Sequence, residues 1–176
     1  FFENYKSYIF NADKEAKNHL KNHSVLQKKI INIFGNQIVT KNNIDFKKLA
    51  EIVFESKKNQ QILNGIVWPE ISMLIENRLR QAENDKYDFF IVDAALLFEA
   101  NFNHFFDYII LVTADKKIRL NRALKRKNLD LSQIRKRMSL QLSDSEKIKH
   151  SNFTIYNNDK KEALQNEFNK IMKLLQ

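Results

Sequence analysis

A chain of 176 residues, 43% hydrophobic and 11% aromatic, holds enough apolar material for one main domain with an appended subdomain. It contains no Cys, which excludes disulfides and fits a reducing, cytoplasmic compartment, and no apolar run approaches the roughly 18 residues that a membrane span requires. The net charge of +9 and a pI of about 9.6 attract nucleic acid and phosphorylated small molecules alike, so charge by itself does not choose a function.

Four short apolar runs alternate with stretches of helical period. Tyr8-Ile9-Phe10 closes on Asn11-Ala12-Asp13, Phe89-Phe90-Ile91-Val92 on Asp93, Tyr108-Ile109-Ile110-Leu111-Val112 on Thr113, and Phe153-Thr154-Ile155-Tyr156 on Asn157-Asn158. Near-continuous β-branched and aromatic runs separated by helices predict an α/β fold with a parallel sheet covered on both faces. Ligands of such sheets bind at the carboxyl ends of the strands, where these polar clusters fall.

Between the first two runs, Phe46, Leu49, Val53 and Phe54, then Ile62, Leu63, Ile66 and Val67, then Ile71, Leu74, Ile75 and Leu79 recur at helical spacing. They predict a helical insert over about residues 24–83. Trp68-Pro69 is expected to break it, because the residue before Pro avoids the α region. Leu164, Phe168, Ile171, Met172 and Leu175 make one stripe of a C-terminal helix, with Asn158 or Asp159 as its expected N-cap.

The chemistry-bearing residues follow the runs. Asp13 can accept a proton from a hydroxyl or hold Mg²⁺ through water, and a carboxylate after a strand can equally be a helix cap. Asp93 closes a run and Glu99 lies six positions later; a phosphate-metal site and a cap with a surface Glu are both open readings. A basic segment runs from Arg119, Arg122, Lys125, Arg126 and Lys127 to Arg135, Lys136 and Arg137, with Ser132 as the expected cap between its clusters. Arginine forks bind phosphate oxygens, so this segment reads as a lid over a triphosphate, a solvated helical face or a nucleic-acid patch.

In order and spacing these features resemble the dephospho-coenzyme A kinases, P-loop kinases of the nucleoside monophosphate kinase type. Phe10-Asn11-Ala12-Asp13 is similar to the family's I-D-A-D stretch, Ile33-Phe34-Gly35 to its F-G, and Ile44-Asp45 with Leu49 and Val53-Phe54 to L-D-R…L…V-F. Pro69 and Ile71 match H-P-x-I, and Leu96-Leu97-Phe98-Glu99 matches P-L-L-F-E. Arg122 and Arg126, Arg137 and Gln141, then Lys147, Phe153, Ile155 and Asn157 follow the lid and closing segments.

The resemblance implies a three-layer P-loop kinase-like parallel sheet flanked by helices, with a helical substrate subdomain and a basic lid. Residues 1–23 and 84–176 would form the nucleotide-kinase core, with the lid at about 122–150, and 24–83 the acceptor-binding subdomain. It further implies ATP and Mg²⁺ as cofactors and dephospho-coenzyme A as acceptor, phosphorylated on its ribose 3′-hydroxyl. Asp13 would orient that hydroxyl or take its proton, and Arg126 and Arg137 would hold the phosphates. Phe54, Trp68, Pro69, Leu97 and Glu99 would cradle the acceptor, and Asn157 would lie near the adenine. No direct metal ligand is expected, Asp13 and Asp93 acting through water. Partners are ATP and dephospho-coenzyme A, without membrane or nucleic acid, in a monomer or weak homo-oligomer.

This sequence departs from the family pattern at Asn11, Phe46, Trp68, Ala95 and Asn152, where the family has Asp, Arg, His, Pro and Asp. Its two glycines, Gly35 and Gly65, do not form G-x-x-x-x-G-K-[ST], and Phe1 is not a Met. The expectation is that about 20 upstream residues carry the phosphate-binding loop, whose amides, Lys and Ser/Thr hold phosphates and Mg²⁺. Outside the kinase reading stand another nucleotide kinase and a basic nucleic-acid-binding module.

Overall fold

The structure is a computed structural model that describes residues 1–175. The chain divides into two compact units, one from Phe2 to Leu96, the other from Leu97 onward together with Phe1.

In the first unit, β1 (Ser7–Asn11) lies parallel to β4 (Phe89–Asp93), with Asn11 opposite Asp93 at their carboxyl ends. The connection between them is mostly helical, as expected for residues 24–83, and also takes in a helix before them. It begins with α1 (Ala12–Asn22) and α2 (Ser24–Phe34), passes through a hairpin of β2 (Val39–Thr40) and β3 (Asn43–Ile44), and ends with α3 (Phe46–Val53) and α4 (Lys57–Asn84). Polar caps set the starts: Asp45 accepts from the amides of Lys47 and Lys48, and Ser56 from that of Asn59. Gly35 ends α2 at φ +84, a conformation that L side chains rarely adopt, while its N–H bonds the Ile31 carbonyl at 2.7 Å. Leu20, Leu26, Ile30, Phe34, Ile38, Ile44, Leu49, Val53 and Ile66 bury one another in a single cluster. Fully covering a residue such as Ile30 or Ile38 contributes about 1.5–3 kcal/mol.

Two sequence expectations fail here. The helix does not break at Trp68-Pro69; α4 runs through Pro69 for 28 residues. Burial of Ile66, Trp68 and Ile71 on either side of the proline in sequence outweighs the single backbone bond that proline cannot donate to the Gly65 carbonyl. The hairpin was invisible because each strand has two residues and its turn, Lys41 and Asn42 at φ 51 and 62, makes the left-handed pair without the usual glycine.

In the second unit, β5 (Ile110–Thr113) lies parallel to β6 (Phe153–Tyr156). Between them run α5 (Lys116–Lys125), α6 (Leu131–Leu140) and α7 (Asp144–Lys149), and α8 (Lys161–Leu175) follows. Phe168, Ile171 and Met172 of the predicted stripe on α8 are buried. The α6 cap is Asp130 rather than Ser132: its carboxylate accepts from the Gln133 amide while the Gln133 side chain reaches back to the Asp130 N–H. Asn158 is not the cap of α8, which begins three residues later; instead its side chain binds the backbone N–H and carboxylate of Asp115. Both units are α/β, with parallel strand pairs flanked by helices, as the apolar runs predict. Among the described residues, no helix is long and apolar enough to cross a membrane.

Candidate active site

In the first unit the chemistry gathers where β1 and β4 end. Asn11 finishes β1 and caps α1, its side-chain oxygen accepting from the Lys14 amide at 2.9 Å while its NH₂ donates to Asp93 at 3.0 Å. The cap reading of Asp13 therefore falls away. Asp13 sits in the first turn of α1 with its carboxylate free of capping duty. Although solvent reaches it, the protein behind it strips enough hydration to push the carboxyl above the ordinary carboxylate range. The negative charge of Asp93 pushes the same way. A carboxyl raised in this way at a strand-end rim can hold a proton in transit.

The acceptor candidates in this unit differ in exposure. Phe54, the C-terminal cap of α3, is half-buried, Trp68 is buried, and Pro69 is exposed. Trp68 thus works mainly as core, which accounts for an indole where the family pattern carries an imidazole.

In the second unit the ends of β5 and β6 are tied by polar contacts that spacing did not reveal. Arg119 pairs with Asp144, and the Thr113 hydroxyl donates to the same carboxylate at 3.3 Å. Arg122 donates to the Asn157 carbonyl at 2.7 Å, and the Asn157 N–H bonds the Thr113 carbonyl at 2.7 Å. Asn157 is therefore held at the strand end by its backbone, leaving its side chain to act. Two residues of the basic segment, Arg119 and Arg122, are engaged inside the protein. Arg126 caps α5 and is exposed. Arg137, on α6, is half-buried, and the loss of hydration lowers its guanidinium below the ordinary value.

Leu97 is half-buried in the segment after β4. Glu99 lies deeper, with a side chain only 6% exposed. Its Oε1 accepts from Lys147 Nζ at 2.9 Å and from the Leu142 amide at 3.0 Å. Glu99 Oε2 is buried without a hydrogen-bond partner. This carboxylate fixes the segment between α6 and α7. The only sequence trace of that job was Lys147 in the closing motif, since nothing in local periodicity joins positions so far apart.

Comparison with known proteins decides the family. The family model described as dephospho-CoA kinase matches residues 1–163. The chain belongs to the dephospho-CoA kinase family. A dephospho-CoA kinase of Fusobacterium nucleatum is 40% identical over 157 residues, covering 89% of this chain and 79% of that protein. The solved structure of a dephospho-CoA kinase from Campylobacter jejuni superposes with a TM-score of 0.63 at 28% identity, over 97% of this chain and 85% of that one. A crystal structure of a Thermus thermophilus protein, 21% identical, shares the fold with a TM-score of 0.78 over 96% and 84% of the two chains. Membership in this kinase family makes the chain a phosphotransferase, and the alternative of a basic nucleic-acid module gives way.

Proposed function

We propose that this protein transfers the γ-phosphate of ATP to the ribose 3′-hydroxyl of dephospho-CoA, the closing step of coenzyme A synthesis. The carrying observation is Asp13 beside Asp93 at the joined ends of two parallel strands, with its carboxyl pushed upward. A raised carboxylate is a stronger base, nearer to the pH at which general-base catalysis is efficient. Asp13 accepts the proton of the 3′-hydroxyl as its oxygen bonds to the γ-phosphorus, and the bond to the bridging oxygen breaks to release ADP.

Arg126 and Arg137 bind the triphosphate. A partly dehydrated guanidinium such as that of Arg137 meets phosphate oxygens with less water to displace and a lower local dielectric. Phe54, Trp68, Pro69, Leu97 and Glu99 serve the acceptor, Phe54, Pro69 and Leu97 through apolar contact, and the Asn157 side chain serves the adenine. Residues 24–83 act as the acceptor-binding subdomain and about 122–150 as the lid. The carboxylate pair suits Mg²⁺ held through water, because a dication offsets the Asp93 charge that adds to burial in raising Asp13; Asp13 and Asp93 would hold it, and it would neutralise phosphate charge. A cytoplasmic monomer or weak homo-oligomer accords with a Cys-free chain and a small-molecule reaction.

The test is an ADP-release assay on the full-length protein with ATP, Mg²⁺ and dephospho-CoA. Release that depends on dephospho-CoA, and is lost in Asp13→Asn with the fold intact, is expected. Equal release with unrelated nucleosides, or turnover unaffected by Asp13→Asn, overturns the reading.

A further inference from the structure

The phosphoryl transfer proposed above makes no use of one cluster in the first unit. His19 lies on α1 and His23 ends that helix, four positions later, so their imidazoles share one helical face with ring centroids 5.0 Å apart. Glu70, on α4, meets them: its Oε2 is 3.0 Å from His19 Nε2. One ligand atom from each of the three residues lies within 4.8 Å of the others, and all three side chains are half-buried.

We propose that His19, His23 and Glu70 form a Zn²⁺ site that clamps the α1–α2 junction to α4. Two imidazoles and one carboxylate are the donor set of three-ligand zinc centres, which leave a fourth position for water. Zinc bonds of about 2.0–2.2 Å in a tetrahedron set donors roughly 3.3–3.6 Å apart, close to the present separations, of which His19 to Glu70 is 3.0 Å and none exceeds 4.8 Å. Mg²⁺ prefers an all-oxygen octahedron and does not compete for imidazole nitrogen, so this site is chemically separate from the Asp13–Asp93 pair on the same unit.

Proton and lone-pair accounting makes the proposal specific. Without metal, His19 Nε2–H donates to Glu70; zinc at that nitrogen moves the proton of the neutral ring to Nδ1. His23 Nδ1 accepts from the Leu26 amide at 3.1 Å and so caps α2. A neutral ring has one such lone pair. Zinc at His23 must therefore take it from Leu26, directly at Nδ1 or by shifting the ring proton there from Nε2. Zinc binding releases the Leu26 N–H in either case. The metal exchanges a helix cap for a cross-link between helices.

The experiment titrates the metal-free full chain with Zn²⁺ by calorimetry, with millimolar Mg²⁺ present, and repeats it with Co²⁺ to read the visible bands of a low-coordinate site. One equivalent of Zn²⁺ is expected. His19→Gln, His23→Gln and Glu70→Gln should each weaken it tenfold or more, while His104→Gln and His150→Gln, which alter the remaining histidines, leave it unchanged. Far-ultraviolet dichroism confirms that each variant is folded, and amide exchange at Leu26 should speed up on Zn²⁺ addition to the unaltered protein. Binding that is absent, that persists in the three site variants, or that leaves Leu26 exchange untouched overturns the proposal.

Discussion

Removing the Lys147 ammonium with Lys147→Met isolates the buried Glu99 carboxylate. That carboxylate is 6% exposed, has one oxygen without a partner, and would keep only the Leu142 amide at 3.0 Å. Deleting one member of a buried pair costs about 3–5 kcal/mol because the other charge is left uncompensated. With the Lys147 side chain itself 10% exposed, some water can follow, so the lower end, about 3 kcal/mol, is the expected loss. At a urea slope of about 1–3 kcal/mol per molar, the unfolding midpoint should fall by roughly 1–3 M. Adding Glu99→Gln removes the stranded charge and should recover at least half of the loss. A fall worth less than about 1 kcal/mol would put the pair among surface ion pairs, and a double variant no better than Lys147→Met would show that packing of the lysine stem, not charge, was lost.

Asp13 gives a prediction with a definite sign. Its folded pKa is raised, so ionising it opposes folding; the penalty is complete above the folded pKa and fades as pH falls through it toward the unfolded value. Asp13→Asn should raise the melting temperature at neutral pH while turnover collapses, and the thermal gain should shrink in acid; a gain independent of pH would refute the burial account. Asp45 behaves oppositely: its pKa is lowered, first by its bond to the Lys48 amide, so its stabilisation is present above the ordinary carboxylate range and lost as pH falls below it, and Asp45→Asn should flatten the acid limb of a melting-temperature profile. Asp130→Ala removes the capping box of α6 and should cost about 1 kcal/mol in urea unfolding while raising the KM for ATP through the helix that carries Arg137; an unchanged KM would separate that helix from the phosphates. Pro69→Ala restores the missing helical bond and should stabilise by about 1–2 kcal/mol, less than the full proline penalty because the unfolded chain also gains freedom. Destabilisation on denaturant unfolding would contradict that.

The strands and the C-terminal helix were legible because their signals are local. Phe89-Phe90-Ile91-Val92 can scarcely be anything but a buried strand, and Leu164, Phe168, Ile171 and Met172 repeat at one helical period. Asp13 and Asp93 were legible as strand-end acids, yet only register shows that Asn11 stands opposite Asp93 and donates to it. The caps were harder. Asn11, Asp130 and Asn158 each sit among several residues able to cap, and which one turns its oxygen to the amides depends on where the backbone leaves the helix. Glu99 with Lys147, and His19 with Glu70, are tertiary meetings that no periodicity encodes. Pro69 misled because its local preference is real and is overruled only by what Trp68 and Ile71 bury.

That proline has a mechanical consequence. At about 1.5 Å per residue α4 is a rod of some 42 Å, beginning against the helical cluster and ending at the turn that leads into β4. One rung of its ladder is missing, close to the middle. A rod notched there bends more easily at that point than anywhere else along its length. Bending there would move the helical end and leave the end that feeds Asp93 in register with β1.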